Sequence, residues 1–236
     1  MIIVSTHVDD FLIASKKGQQ LDQFKADLSD KFQMEDLGPA QYFCGVRIVR
    51  NRINRKLYLL QDAYIKKILE RFGMTNCNRV TTPMEAGAMK NMVPNTGEAT
   101  KEDIQLYQSI IGSEMFAATQ TRPDIAFALS VLSRFLCNPS PQHIAAAKRV
   151  LRYLKGTIYL ATVYGGGKPG EETMILKGFT DADFAGCLYT AKSTSGYLYF
   201  FAGGVISVQA KRQTVVILST TESEYYGVAK AGIEAA

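Results

Sequence analysis

An apolar run broken at its centre by two carboxylates, Ile2-Ile3-Val4-Ser5-Thr6-His7-Val8-Asp9-Asp10-Phe11-Leu12-Ile13-Ala14, constrains the fold more than any other part of the chain. Adjacent carboxylates repel unless water or a cation screens them, so Asp9 and Asp10 belong at a solvated turn. The flanking apolar residues then read as two short strands, 2–6 and 11–14, meeting around Val8, Asp9 and Asp10. The same acids stop the run long before the roughly 20 residues a membrane span needs. No basic leader precedes it, so neither a membrane partner nor a cleaved signal is expected. The dipeptide leaves two readings open. Aspartate is favoured in ordinary turns because it hydrogen-bonds its own backbone, and a fixed pair of carboxylates also suits a divalent cation.

Beyond Gly18 the apolar period changes from two to nearly four. Leu21, Phe24, Lys25, Leu28 and Phe32 predict an amphipathic helix over 19–32. Aromatic and branched residues over 41–49 and 55–61, around Asn51-Arg52-Ile53-Asn54, predict a hairpin, and 63–72 returns to helix before Gly73. From 81 to 99 Thr, Pro, Gly, Asn and Glu dominate and no period survives, which marks a linker. The chain then reads as helical to Gly156. Pro123 and Pro141 suit first helical turns and Ser140 suits a cap. In the last of these helices Ile144, Ala147, Val150, Leu151 and Leu154 form one face, and Lys148, Arg152 and Lys155 another. A glycine-rich break over 165–172 is read as a linker. It lacks the Lys-Ser or Lys-Thr of a phosphate loop. Strands are expected at 174–180, 196–201 and 214–218. Ser219 with Glu222 fits a capping box opening a helix that runs to the end. The class is α+β.

Net charge is +5, and its placement matters more than its size. Lys and Arg outnumber Asp and Glu by 13 to 9 over 1–84 and 8 to 6 over 85–156, but stand 6 to 7 over 157–236. Arg47, Arg50, Arg52, Arg55 and Lys56 fall within ten residues, a density suited to a phosphate backbone and equally to a solvated hairpin. Cys44, Cys77, Cys137 and Cys187 lack paired spacing, which argues against a zinc site and against a secreted disulfide framework. A reducing intracellular setting, cytoplasm or nucleus, is expected. His7 and His143 have no partner at ligand spacing.

His7-Val8-Asp9-Asp10 resembles the tyrosine-variable-aspartate-aspartate signature of reverse transcriptases. Further blocks follow in order: MEDLGPAQYFCGVRI from Met34, LLQDAYIKKILERFGM from Leu59, TRPDIAFALSVLSRF from Thr121, HIAAAKRVLRYLKGT from His143, GFTDADFAGC from Gly178, KSTSGYLYF from Lys192 and AKRQTVVILSTTESEY from Ala210. Together they are similar to the copia type of retrotransposon polyprotein over nearly the whole chain. The resemblance implies a partial palm with a primer-grip-like hairpin over 1–84 and a linker with a helical thumb over 85–156. Over 157–236 it implies the start of a ribonuclease H-like domain with a mixed sheet. It further implies RNA-templated DNA synthesis and RNA-strand cleavage, with magnesium held by Asp9 and Asp10 and, in the second domain, by Asp181 and Glu224. Asp183 and Glu222 rank below those two, as a strand end and a cap. Tyr42, Gly45, Arg47, Lys148, Arg152 and Lys155 would lie against an RNA/DNA primer–template duplex, and the remainder of the polyprotein would be a partner.

The chain departs from the family pattern at two positions: His7 replaces the tyrosine, and Val208 stands where a tryptophan is usual. The pattern also places a third palm aspartate and the fingers upstream of the signature, and further ribonuclease H acids after the first helix. The expectation is therefore a segment that is inactive alone. The alternative is a non-catalytic remnant that still binds primer and template.

Overall fold

The computed structural model describes residues 1–167, 175–187 and 189–236. Among them the chain forms six α-helices and three antiparallel sheets. No helix among these residues is long and apolar enough to cross a membrane.

The opening run forms a two-stranded ribbon, β1 (Ile2–His7) and β2 (Asp10–Ser15), followed by α1 (Gln19–Lys31). The predicted elements are present, but no residue from 1 to 40 is buried. A second sheet follows the order β3 (Tyr42–Phe43), β4 (Val46–Asn51), β5 (Lys56–Leu60) and β6 (Thr162–Gly165). Cys44 and Gly45, with φ of 50° and 77°, make the tight mirror-type turn between β3 and β4 that matches strand twist. β6 lies beyond the expected boundary at 156, yet it pairs with β5, Leu59 opposite Thr162. Gly165, read as part of a linker, closes that strand, and residues 168–172 of the glycine-rich break lie outside the described residues.

The main core is helical. α2 (Asp62–Arg71), α3 (Lys101–Gln120), α4 (Ala126–Leu132) and α5 (Pro141–Gly156) bury Ile65, Tyr107, Ile110, Leu129, Leu151 and Leu154 together. Each begins where local chemistry allows. Thr100 caps α3 by accepting from the Asp103 amide, and Ser140 caps α5. At α5 the partner in the box is His143, whose Nδ1 accepts from the Ser140 amide at 3.0 Å. Arg122, enclosed completely, donates to Asp124 at 2.7 Å and to the Thr157 carbonyl at 3.1 Å, joining the turn after α3 to the end of α5.

The third sheet is β7 (Lys177–Ala182), β8 (Thr194–Phe201) and β9 (Gly204–Arg212), with α6 (Thr220–Ala235) across it. Two expectations need correction here, and one falls on a residue outside those described. The sheet is antiparallel throughout its described strands where a mixed sheet was expected. Residue 174, expected to open its first strand, lies outside the described residues. The segment 214–218 is not a strand. Its place in the sheet is taken by β9, which turns back through Ala202 and Gly203, both at positive φ. After Arg212 the chain leaves the ladder: the Gln213 amide bonds the Ser193 carbonyl at 2.8 Å, Ile217 is anchored inside, and Val215, Val216 and Leu218 face solvent. The Ser219 cap forms as predicted, accepting from the Glu222 amide at 3.1 Å, but Glu222 returns its bond to the Leu218 amide instead.

Candidate active site

The Asp9 and Asp10 carboxylates stand at the end of the β1–β2 ribbon. Its two-residue turn is Val8-Asp9, and Asp10 already belongs to β2, opposite His7. Val8 takes φ 53°, a left-handed conformation that β-branched residues rarely adopt, with its side chain in solvent. The His7 ring meets Phe43 of β3 edge-on at 6.3 Å, so the acidic turn abuts the β3–β4 hairpin. Both aspartates are exposed. Magnesium takes one or two carboxylates and completes its octahedron with water and substrate phosphates, and this pair fits that donor set. Among the described residues no group of three or more His, Cys, Asp or Glu stands close enough to form a closed metal cage.

The β3–β4 hairpin is fixed by packing and charge. A Cβ built on Gly45 would lie 3.7 Å from the Phe116 ring, so the turn rests on α3. Arg47 pairs with Asp62 at 2.8 Å and ties β4 to the start of α2, while Tyr42 is exposed. On α5, Lys148 is half-buried. Its neighbours have partners inside the chain: Arg152 donates to the Asn78 carbonyl and Lys155 to that of Cys77, both at 2.7 Å, and Arg149 pairs with Glu85 at 2.7 Å. The basic face of α5 therefore straps down the segment between 77 and 85. Arginine has five N–H donors and lysine three, so donors remain for a second acceptor.

Asp181 on β7 and Glu224 on α6 stand on elements that pack together, with their side chains on different sides. Ser223, Gly227 and Ala231 form the inner face of α6. A Cβ on Gly227 would lie 3.4 Å from Thr180 Oγ1 and 3.7 Å from Ala182, so those residues face the helix. Strand alternation then turns Asp181 away from α6. Ser223 Oγ donates to the Asp183 carbonyl at 3.0 Å, which pins the first turn of α6 to the end of β7, and Glu224 projects from the next position into solvent.

Two features here escaped the sequence reading. Asp183 is more than a strand end: its carboxylate accepts from the Thr194 amide. Desolvation raises its pKa, the Thr194 amide and Arg134 oppose that, and repulsion from Asp181 adds to it. The spacing of two residues on a strand, which puts both acids on one face, was the available signal. The other feature is Cys187, buried beside Arg212 at 3.7 Å. Burial alone would raise its thiol pKa, but hydrogen bonds from Thr190, Arg212 and Tyr189 outweigh it and bring the value to about 7. No paired cysteine spacing announced it.

Comparison with known proteins adds to this geometry. A family profile described as reverse transcriptase (RNA-dependent DNA polymerase) matches residues 1–86. The chain is similar to the retrovirus-related Pol polyprotein from transposon TNT 1-94 of Nicotiana tabacum, 48% identical over 99% of this chain and 17% of that protein. It is 34% identical to an uncharacterized mitochondrial protein of Arabidopsis thaliana, over 97% of this chain and 90% of the relative. It is 32% identical to a putative transposon Ty5-1 protein of Saccharomyces cerevisiae, over 95% of this chain and 70% of the relative. The chain thus spans less than a fifth of the tobacco polyprotein. No solved structure matches it. An acidic hairpin turn inside the reverse transcriptase match over residues 1–86, with transposon relatives similar over 95–99% of this chain, identifies the chain as a member of the retrotransposon Pol polyprotein family.

Proposed function

We propose that this chain is the C-terminal part of a copia-type reverse transcriptase with the start of its ribonuclease H, and that its parent polyprotein copies RNA into DNA and degrades the RNA strand. The observation that carries this reading is the acidic turn abutting the β3–β4 hairpin through His7 and Phe43. Such a junction suits a site where a primer end, gripped by the hairpin, must meet metal-binding carboxylates. Residues 1–84 act as the palm segment, 85–156 as linker and thumb, and 157–236 as the first part of ribonuclease H. Asp9 and Asp10 would hold magnesium, which neutralises charge developing on the transferred phosphate. Tyr42, Gly45 and Arg47 orient the primer, while Lys148, Arg152 and Lys155 lie along the duplex backbone. The antiparallel meander β7–β8–β9 with α6 across it supports the ribonuclease H part, where Asp181 and Glu224 would be metal-binding acids alongside others of the longer protein.

A second reading concerns the 236 residues by themselves: binding of primer and template without catalysis. One observation favours it. The ribbon carrying Asp9 and Asp10 belongs to a segment that buries no residue, and a lone two-stranded hairpin is marginally stable in water. Catalytic carboxylates must be held within about 0.5 Å of the productive geometry, which needs a packed supporting shell. The test is magnesium-dependent primer extension on an RNA template, with the Asp9→Asn/Asp10→Asn double variant as control and duplex binding followed in parallel. Binding without extension is the outcome expected of this chain alone. Extension that the double variant abolishes would overturn the non-catalytic reading, and absence of duplex binding would overturn binding by this chain and leave only its ancestry.

A further inference from the structure

We propose a second nucleic-acid contact, a groove between β9 and α6 that takes the phosphate backbone of a single strand. The helix covers only part of the sheet: Gly227 sits over Thr180, Ala182 and Ser195, so α6 lies along β7 and β8 and leaves the same face of β9 open beside it. The opening has a volume of about 230 Å³, with Lys211, Gln213, Tyr226 and Lys230 among the residues that line it. This is below the roughly 300–1,000 Å³ of sites that enclose a drug-sized ligand, and it suits one sugar–phosphate unit of a chain passing through.

Charge placement singles the groove out. Residues 157–236 hold six cations and seven carboxylates, and three of those cations, Lys211, Arg212 and Lys230, line this one opening with a single acid, Glu234. Arg212 bonds the Tyr189 hydroxyl at 2.8 Å, and Glu234 accepts from Ser207 Oγ at 2.7 Å. Lys211 on the strand wall and Lys230 on the helix wall take part in no salt bridge among the described residues. Lys230 rests 5.7 Å over the Tyr226 ring, which places an aromatic face beside the ammonium, the pairing with which single-strand binders hold backbone and base.

The walls are held at fixed spacing. Gln213, 2% exposed, donates through Nε2 to Ser195 Oγ at 2.7 Å on β8 and to the Ser223 carbonyl at 3.2 Å on α6, while its Oε1 has no partner among the described residues. Strand and helix are therefore bridged from below, which fixes the spacing of the two walls that carry Lys211 and Lys230.

The inference rests on reading the chain as a nucleic-acid-handling protein, but its residues are separate from those assigned to the primer–template duplex. Its test uses the full chain and a fluorescent single-stranded RNA, with a DNA strand of the same sequence and inorganic phosphate as comparison arms. Each ammonium–phosphate contact on a single strand contributes about 0.7 to the slope of log affinity against log salt. The Lys211→Gln/Lys230→Gln double variant should therefore lose about 1.4 from that slope, so that its deficit against the wild type shrinks about sevenfold between roughly 50 and 200 mM salt. On the wild-type chain, which needs no variant to fold, bound strand should shield Lys211 and Lys230 from acetylation and leave Lys16 and Lys17 reactive. An unchanged slope, or full reactivity of both lysines while the strand is bound, overturns the proposal. Shielding by inorganic phosphate alone overturns the strand as the ligand. Loss of duplex binding with shielding retained would defeat the primer–template reading and leave this groove standing.

Discussion

Two amphipathic helices of the same chain, α1 and α5, meet opposite fates. Both carry apolar residues at three- and four-residue spacing. In α5 that face is enclosed: Ala147, Val150, Leu151 and Leu154 reach zero exposure against α2, α3 and α4. In α1 the matching face, Leu21, Phe24 and Leu28, is only half covered, and the helix buries nothing. A hydrophobic period predicts that a helix has an inner side, while whether that side is satisfied depends on what the chain offers it. The helical middle carries its own partners, whereas the ribbon and α1 present apolar surface that a further protein surface would cover.

The largest effect that sharpens this contrast lies at Arg122. Its guanidinium is enclosed within the helical unit and bound to Asp124 and Thr157. Arg122→Ala leaves a cavity where the enclosed side chain stood and removes the donors to Thr157 and Asp124, and should cost about 2–5 kcal/mol. Urea unfolding followed by circular dichroism should show the main transition moving by that amount. A loss below about 1 kcal/mol would mean that the helical unit does not depend on the Arg122 bridge.

Glu114 comes next. It lies fully buried in α3, both carboxylate oxygens lack partners among the described residues, and burial holds its pKa well above the usual range. Because the folded state keeps a proton that the unfolded chain releases, the contribution of Glu114 to stability is most favourable below about pH 4.5 and falls as pH rises. His143 acts in the opposite sense: burial lowers its pKa, so acidification below about pH 6.5 favours the unfolded chain. Above pH 6.5 the Glu114 slope continues, up to about 1.4 kcal/mol per pH unit, and between about pH 7 and 9 the lowered Cys187 thiol opposes it. Glu114→Leu should stabilise the chain by about 1–3 kcal/mol near neutral pH and flatten that decline. A variant less stable than the wild type at pH 8 would show that the carboxylate has a partner in solution.

A smaller loss is expected at the cap of α5. Ser140→Ala removes the acceptor for the His143 amide, and about 1 kcal/mol should follow in the same unfolding curve. Ser140→Asn, which keeps an acceptor, should restore most of it.

The legible parts of the fold were those whose signals are local. Ser140 and Pro141 announced α5, Thr6 to Phe11 announced a hairpin, and Gly73 announced the end of α2, because caps, turns and periods act within a few residues. β9 was missed since Thr214 to Leu218 offers a stronger run of branched residues, and only the Ala202-Gly203 turn brings Val205 to Arg212 alongside β8. β6 was invisible for a different reason: Thr162 pairs with Leu59 across about a hundred residues of chain, and nothing in either segment names the other. At the candidate sites, residue type and spacing singled out Asp9 and Asp10, and the resemblance pointed to Asp181 and Glu224. They did not indicate that Asp181 and Glu224 lie on different sides of β7, that Asp183 shares the face of Asp181, or that Arg152 and Lys155 hold down the segment before the linker.

The smallest effect is the most telling for the comparison. Phe24 is the largest apolar side chain within α1 and only half covered, so Phe24→Ala should change the main unfolding transition by less than about 0.5 kcal/mol. The same truncation at an enclosed leucine such as Leu151 should cost about 2–5 kcal/mol. Hydrogen exchange gives an independent reading of the same difference: amides of β1, β2 and α1 should exchange through local opening, while those of α3 and α5 wait for global unfolding. If Phe24→Ala instead cost 2 kcal/mol or more, α1 would be docked on the helical core in solution, and the ribbon would have a supporting shell. Asp9 and Asp10 would then be held as firmly as a catalytic pair requires, and the case for binding without catalysis would lose its footing.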